Sequence, residues 1–311
     1  MTLPQTIIGV DVSESWIDVY HLADGRHDRI SMTAAALGRF ARKARGALVV
    51  LEASGACERP LLAALARAGT AHVRVNPGRA RDFARASGQL AKTDRVDAQV
   101  LARMGAALQL KPQPVPLEHQ QTLAERVARR EDIVKMITAE TNRARRVSDP
   151  VVRRDIATVR RALKARLKAV EAGIARLIDA VPELAEARDR LTSVPGIGPV
   201  IAATILARLP ELGQLGRREI ASLAGLAPRA RDSGIMRGRR TIWGGRADLR
   251  RSLWLASFVA SRHDPTLKAF RARLEAAGKP PKAAITACAR KLVTILNAMF
   301  KTQQSYRALT V

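Results

Sequence analysis

Thr6-Ile7-Ile8-Gly9-Val10-Asp11-Val12 is a short apolar run that closes around a carboxylate. Ala47-Leu48-Val49-Val50-Leu51 is a second such run, and an acid, Glu52, follows it directly. Two further stretches read as strands: residues 16–22, with Asp18 on the alternate face, and residues 72–75, just before Asn76-Pro77-Gly78. Helical spacing fills residues 33–44, 60–68 and 93–107. Strands that alternate with helices predict an α/β domain built on a central, partly parallel sheet.

Outward from this region, the chain changes character at Lys111-Pro112-Gln113-Pro114-Val115-Pro116. Prolines at alternate positions prevent helix and favour an extended linker. Residues 1–110 carry 15 Lys and Arg against 10 Asp and Glu, whereas residues 111–311 carry 39 against 18. The formal charge of the 311-residue chain is +26. A compact fold does not need that excess and suffers self-repulsion from it, so a polyanionic partner is expected, nucleic acid before an acidic membrane surface. The longest apolar candidate, residues 253–260, is far too short to span a bilayer, and no membrane partner is expected. The first ten residues lack a secretory pattern. Cys57 and Cys288 offer neither metal spacing nor a disulfide framework, which fits a cytoplasmic location. Aromatic residues amount to 3 %, so phosphate contacts through arginine are expected to outweigh base stacking.

Residues 117–181 read as a hairpin of two long helices interrupted at Ser148-Asp149-Pro150. Ile156, Val159, Leu163, Leu167, Val170, Ile174, Leu177 and Val181 recur at spacings of three and four. That pattern serves either a coiled-coil seam or the stripe of an ordinary helical bundle. From Leu191 onward the chain is mostly helical. Pro195-Gly196-Ile197-Gly198 before an apolar helix reads as a helix-hairpin-helix turn whose glycines approach a phosphate, or equally as a tight interhelical turn. The expected divisions are therefore 1–112, 113–190 and 191–311.

Asp94 and Asp97, three apart on a helix, project from one face, and acids at the C-terminal ends of neighbouring strands converge on one sheet edge. Asp11, Glu52, Asp94 and Asp97 could thus share a site that needs cations to neutralise it, Mg²⁺ or Mn²⁺ for an all-oxygen set. By spacing alone the same acids also fit as solvated or capping groups. Asp18 and Asp82 read as surface charges. His21, His27, His72, His119 and His263 show no metal spacing, and no phosphate-binding loop implies ATP. Ser233 lies in Arg231-Asp232-Ser233-Gly234, amid Arg229, Arg231, Arg237, Arg239, Arg240, Arg246, Arg250 and Arg251. Guanidinium groups there could hold a scissile phosphate. The residues alone favour a Ser-Gly turn in a solvated basic loop over a nucleophile.

Several motifs carry a resemblance that covers nearly the whole chain. Ile8-Gly9-Val10-Asp11-Val12-Ser13, Leu51-Glu52-Ala53-Ser54-Gly55, Asn76-Pro77 and Lys92-Thr93-Asp94-Arg95-Val96-Asp97-Ala98 resemble the N-terminal domain of the insertion-sequence transposases of the "one-ten" group, described as bridge-RNA-guided recombinases. Pro195-Gly196-Ile197-Gly198, Ala224-Gly225-Leu226-Ala227-Pro228-Arg229 and Asp232-Ser233-Gly234 resemble its transposase domain in order. Cys57 departs from the pattern where an aromatic is expected. The resemblance implies a RuvC-like, RNase H-type fold for the first domain, with Asp11, Glu52, Asp94 and Asp97 as its metal set. It also implies Ser233 as nucleophile, a non-coding guide RNA, and donor and target DNA as substrates. Arg229, Arg231, Arg237, Arg239, Arg240, Arg246, Gly196 and Gly198 are the expected nucleic-acid contacts. A dimer pairing into a tetramer would suit two duplexes. A metal-only junction-resolving nuclease with a structural Ser233, and a non-catalytic nucleic-acid-binding protein, are the competing readings.

Overall fold

The computed structural model describes residues 6–55, 57–89, 93–113, 117–230, 232–233, 236–238 and 240–306, with backbone alone at 232, 233, 236 and 237. The chain forms two compact units, Met1–Val115 and Pro116–Val311.

The first unit is a five-stranded sheet covered on both faces. Strands β1 (Thr6–Val12), β2 (Trp16–His21) and β3 (His27–Ser31) form an antiparallel meander. Helix α1 (Ala34–Lys43) leads to β4 (Ala47–Glu52), which pairs parallel to β1. Helix α2 (Arg59–Ala68) leads to β5 (His72–Val75), parallel to β4. Helices α3 (Pro77–Ala86) and α4 (Asp94–Ala107) complete the unit, and the strand order is β3-β2-β1-β4-β5. One face packs Ile8, Val10, Val19, Val49 and Leu51 against Leu37, Phe40, Leu61 and Leu65 of α1 and α2. The other packs Leu48, Val50, Val73 and Val75 against Ala80, Leu101 and Met104 of α3 and α4. Burial on both faces explains why β4 is continuously apolar instead of alternating. Each such side chain stabilises the fold by about 1.5–3 kcal/mol relative to exposure. The start of the proline-rich segment is extended along the edge of β5: Gln113 N donates to His72 O at 2.8 Å, and Arg74 N donates to Gln113 Oε1 at 3.1 Å. Strand β3 and helix α3 were not anticipated; both are charged and short of the apolar periodicity that marks their neighbours.

The second unit begins with α5 (Glu118–Ala144) and α6 (Pro150–Asp179), packed as the expected hairpin. Asp149 caps α6 by accepting from Val151 N and Val152 N, and Pro150 follows at the first helical position. Those two residues are why the chain reverses there. Leu123, Val127, Ile174 and Ile178 share one core with Leu184 and Ala203. These last two lie on α7 (Pro182–Thr192) and α8 (Pro199–Arg208). Farther along the hairpin, Met136, Val151, Val152 and Val159 are exposed. Helix α9 (Arg217–Leu223) precedes two small antiparallel ladders. Strand β6 (Pro228–Arg229) pairs with β9 (Thr241–Ile242), and β7 (Asp232–Ser233) pairs with β8 (Met236–Arg237). Helices α10 (Ala247–His263), α11 (Pro265–Ala276) and α12 (Pro281–Thr302) close the unit.

Helix α12 corrects one expectation, since by length and composition it is long and apolar enough to cross a membrane. Its interrupting Lys and Arg residues hid this in the sequence. In the fold it is a core helix: Cys288, Ala289, Leu292, Val293 and Leu296 are fully buried among residues of α8 and α10. Asn297 is buried too, donating to Leu215 O at 2.8 Å and accepting from Gly213 N at 2.9 Å.

Candidate active site

Asp11 and Glu52 are neighbours because β1 and β4 run parallel with Val10 opposite Leu51, which places the next residue of each strand at the C-terminal edge. Asp94 and Asp97 lie in the first turn of α4, where the Thr93 hydroxyl accepts from Val96 N at 3.3 Å. A helix N-terminus favours negative charge. What brings that turn to the strand is Gly9. A Cβ at Gly9 would stand 1.9 Å from Ala98 O and 2.6 Å from Ala102 N, so α4 lies directly on the backbone of β1. On the same helix Gly105 makes room for Val50, whose Cγ2 would be 2.7 Å from an added Cβ.

The four acids line one pocket of about 290 Å³, with Pro77, Ala80, Arg81 and Ala84 of α3 also on its walls. Asp11 is pushed up to about 6, by burial first and then by the charges of Asp97 and Asp94, while a hydrogen bond from the Val12 backbone opposes the rise. Among the described residues, no three His, Cys, Asp or Glu side chains are grouped to hold a metal ion as they stand. The donor chemistry nonetheless fits a hard divalent cation: oxygen only, like-charged and partly desolvated. The turn after Glu52 is fixed by buried Glu58, which accepts from Ser54 N and Ser54 Oγ at 3.2 and 3.0 Å and pairs with Arg74 at 3.2 Å.

Asp18 corrects the surface reading. It is 8 % exposed and sits opposite Asp11 in the β1–β2 register. Its carboxylate takes two hydrogen bonds from Arg29 of β3, at 3.0 and 2.9 Å, and Arg29 also lies 3.8 Å from Asp94. Among the described residues, Arg29 and Arg81 are cations beside the acids, and neither was singled out by the sequence pattern. Arg29 lies on an unanticipated strand and Arg81 on an unanticipated helix. Asp82, by contrast, is exposed as expected.

The basic stretch of the second unit is less uniform than its composition. Ser233 lies in β7, its backbone paired with Met236, and Arg237 pairs with Asp232. Arg231, Gly234 and Arg239 lie outside the described residues. Arg229 and Arg240 are exposed. Arg246 requires a correction: its guanidinium donates to Arg208 O at 2.6 Å and to both Glu211 oxygens at 2.7 and 2.6 Å. Burial raises the Glu211 carboxyl, but the Arg246 hydrogen bond and charge outweigh it and leave the value lowered. Arg246 is therefore a brace within the unit, not a free phosphate contact. Arg250 likewise donates to Gly244 O at 2.7 Å. Gly196 faces α10, where a Cβ would be 2.5 Å from Ala256 O, so packing alone requires a glycine there. Gly198 is different: it precedes α8 with open space around its Cα.

Comparison with known proteins follows the same two regions. Residues 8–150 match the DEDD family of IS110 elements, described as "Transposase", and residues 188–272 match the "Transposase IS116/IS110/IS902 family". A "Pilin gene-inverting protein" of Moraxella bovis is 28 % identical over 236 residues, 75 % of this chain and 73 % of that protein. An "Insertion element IS110 uncharacterized 43.6 kDa protein" of Streptomyces coelicolor is 32 % identical over 143 residues, 45 % of this chain and 34 % of that protein. Over residues 8–150 and again over residues 188–272, then, the chain is similar to transposases of the IS110/IS116/IS902 type.

Proposed function

We propose that this chain cuts and rejoins donor and target DNA under the direction of a non-coding RNA. The observation that carries the reading is that Asp11, Glu52, Asp94 and Asp97, from three separate stretches of the sequence, line a single pocket at the C-terminal edge of a sheet. The order β3-β2-β1-β4-β5, antiparallel then parallel, supports an RNase H-like, RuvC-like domain. The name of the Moraxella relative supports recombination between DNA sites. The basic excess of residues 111–311 and the family resemblance support a guide RNA as the second polyanion.

The four carboxylates would hold Mg²⁺ or Mn²⁺, which supplies Lewis-acid stabilisation of charge on a phosphodiester. Ser233 is the nucleophile in this reading. Its hydroxyl oxygen attacks phosphorus, its proton leaves with the displaced sugar oxygen, and the phosphoserine ester keeps the strand end for rejoining. Arg229, Arg231, Arg237, Arg239 and Arg240 neutralise phosphates beside it. The exposed Met136, Val151, Val152 and Val159 of the hairpin support contact between copies, hence a dimer pairing into a tetramer.

Replacing Asp11 or Asp97 with Ala removes Mg²⁺-dependent strand cleavage while circular dichroism stays unchanged; full activity in either variant overturns the carboxylate assignment. For Ser233, wild type and Ser233→Ala are run on a denaturing gel with guide RNA, labelled DNA and Mg²⁺. Wild type gives a protein-linked DNA band and the variant gives none. Cutting without that band in wild type favours a metal-activated water, as in a junction-resolving nuclease.

A further inference from the structure

Trp243 follows β9 directly and is 58 % exposed. A large apolar ring left in water forgoes burial, so the frame that holds it there is informative. The β6–β9 ladder sets Arg229 opposite Thr241, and Ile242 packs on the core. Immediately after the ring, Gly244 and Gly245 take φ of 73° and 62°, a region that disfavours any side chain. A Cβ at Gly245 would meet Gly225 N at 2.3 Å and Leu223 O at 2.7 Å, while one at Gly225 would meet Gly244 O at 2.4 Å. Arg250 fastens Gly244 O, and Arg246 N donates to Leu223 O at 3.0 Å. The segment that carries Trp243 is thus locked to the end of α9 and the start of α10, and the indole is displayed outward from it.

The guanidinium of Arg229 lies over the indole, 4.5 Å from its centre. One face of the ring is occupied by this cation, and with the residue 58 % exposed the ring still presents surface to a ligand. An aromatic plane next to a guanidinium matches a nucleotide: a π-surface for the base and a donor fork for its phosphate. Arg229 and Arg240 are exposed on this stretch, and the +26 formal charge of the chain makes a polyanion the fitting partner for such a surface. Inside a duplex, bases already stack on one another, so the ring takes a base that is unpaired or splayed out.

We propose that Trp243 and Arg229 form a stacking platform for one unpaired nucleobase. This rests on the nucleic-acid reading of the second unit. It also qualifies the expectation, drawn from the scarcity of aromatics, that phosphate contacts dominate. Here one ring adds a contact that counting could not show.

The test is binding of the full chain to short labelled oligothymidylate and to an abasic phosphodiester of equal length, with oligouridylate and its abasic form as the RNA arm. Phosphate number is the same within each pair, so only the base is tested. Wild type prefers the base-bearing strand by about 5- to 100-fold, the range expected for one stacked base. The arm with the larger preference identifies DNA or RNA as the source of the base. Trp243→Ala abolishes the preference and binds both strands as wild type binds the abasic one; Trp243→Phe keeps part of it. In a Trp16→Phe/Trp254→Phe background, the base-bearing strand quenches the fluorescence of Trp243 and the abasic strand does not. Equal binding of the two strands by wild type overturns the platform while leaving the nucleic-acid reading intact. So does an equal loss on both strands in Trp243→Ala, which marks the ring as structural. Failure to bind any of the four strands overturns the nucleic-acid reading itself.

Discussion

In the carboxylate pocket each acid sits on an element of the core, whereas the arginines of the second unit are divided between bracing and display. Asp11 and Glu52 end buried strands, and Asp97 precedes Ala98, which packs against Gly9. Their positions follow from a helix laid on bare backbone, so the like charges are held together, and burial first, then the charges of Asp97 and Asp94, lifts Asp11 to about 6. In the second unit, Arg246 and Arg250 spend donors on Glu211 and on backbone oxygens, while Arg229 lies exposed over Trp243. Strand-end position and i, i+3 spacing named the acids as candidates. Clustering alone could not sort the arginines, because one guanidinium can serve a carboxylate inside the protein or a phosphate outside it.

The largest effect is expected at Gly9. Gly9→Val puts a branched side chain where a helix backbone lies, and either α4 lifts from β1 or the strand shifts. A loss of about 3 kcal/mol or more is expected, at the upper end for overpacking. Amide exchange of β1 and β4 in the full chain reports it, with helix α12 as the unaffected control. Unchanged protection in β1 would show that α4 does not depend on this contact. A smaller loss, about 1–3 kcal/mol, is expected for Arg246→Ala, because Glu211 is left half-buried without its partner. The same variant leaves the salt dependence of nucleic-acid binding unchanged, whereas Arg229→Ala lowers its slope by about 0.7–0.9, one phosphate contact. A reduced slope in Arg246→Ala with normal stability reverses the two roles.

The strands at residues 6–12, 47–52 and 72–75, the helix at 94–107 and the break at Asp149-Pro150 were legible because apolar periodicity and capping chemistry are local signals. Strand β3 was not legible: His27-Asp28-Arg29-Ile30-Ser31 is polar, and only its pairing with β2 makes it a strand. With β3 missed, Arg29 had no assigned place, and Asp18 lost the partner that explains a buried carboxylate. The acids at 11, 52, 94 and 97 could be listed from strand ends and i, i+3 spacing. The contact that sets them around one pocket, a glycine against Ala98 and Ala102, depends on tertiary packing between segments about ninety residues apart. Glu211 likewise is thirty-five residues from Arg246, beyond the reach of any local pattern.

The smallest effect sharpens the comparison most, because it reads the charge of the pocket directly. Asp11 ionises near 3.8 when solvated and near 6 in the fold. Between those values the folded chain keeps a proton that the unfolded chain has released. Stability from this group is therefore complete below about 4, falls as pH rises toward 6, and stays low above it. The lowered values of His27 and His72 act in the opposite direction, with stability rising as pH rises toward 6.5. The informative quantity is thus the difference between wild type and Asp11→Asn, in which the histidine contributions cancel. Without divalent ion, wild type should lose on the order of 1 kcal/mol relative to Asp11→Asn across this window, once solvent screening of a partly exposed group is allowed for. Amide exchange of β1 and β4 measures it within the full chain. Adding Mg²⁺ should restore the loss above pH 6 and do little below pH 4, where the ion must displace protons from its ligands. Parallel curves for the two proteins without metal would mean that Asp11 carries no unrelieved repulsion. A restoration by Mg²⁺ that is equal at both ends of the range would place the ion elsewhere.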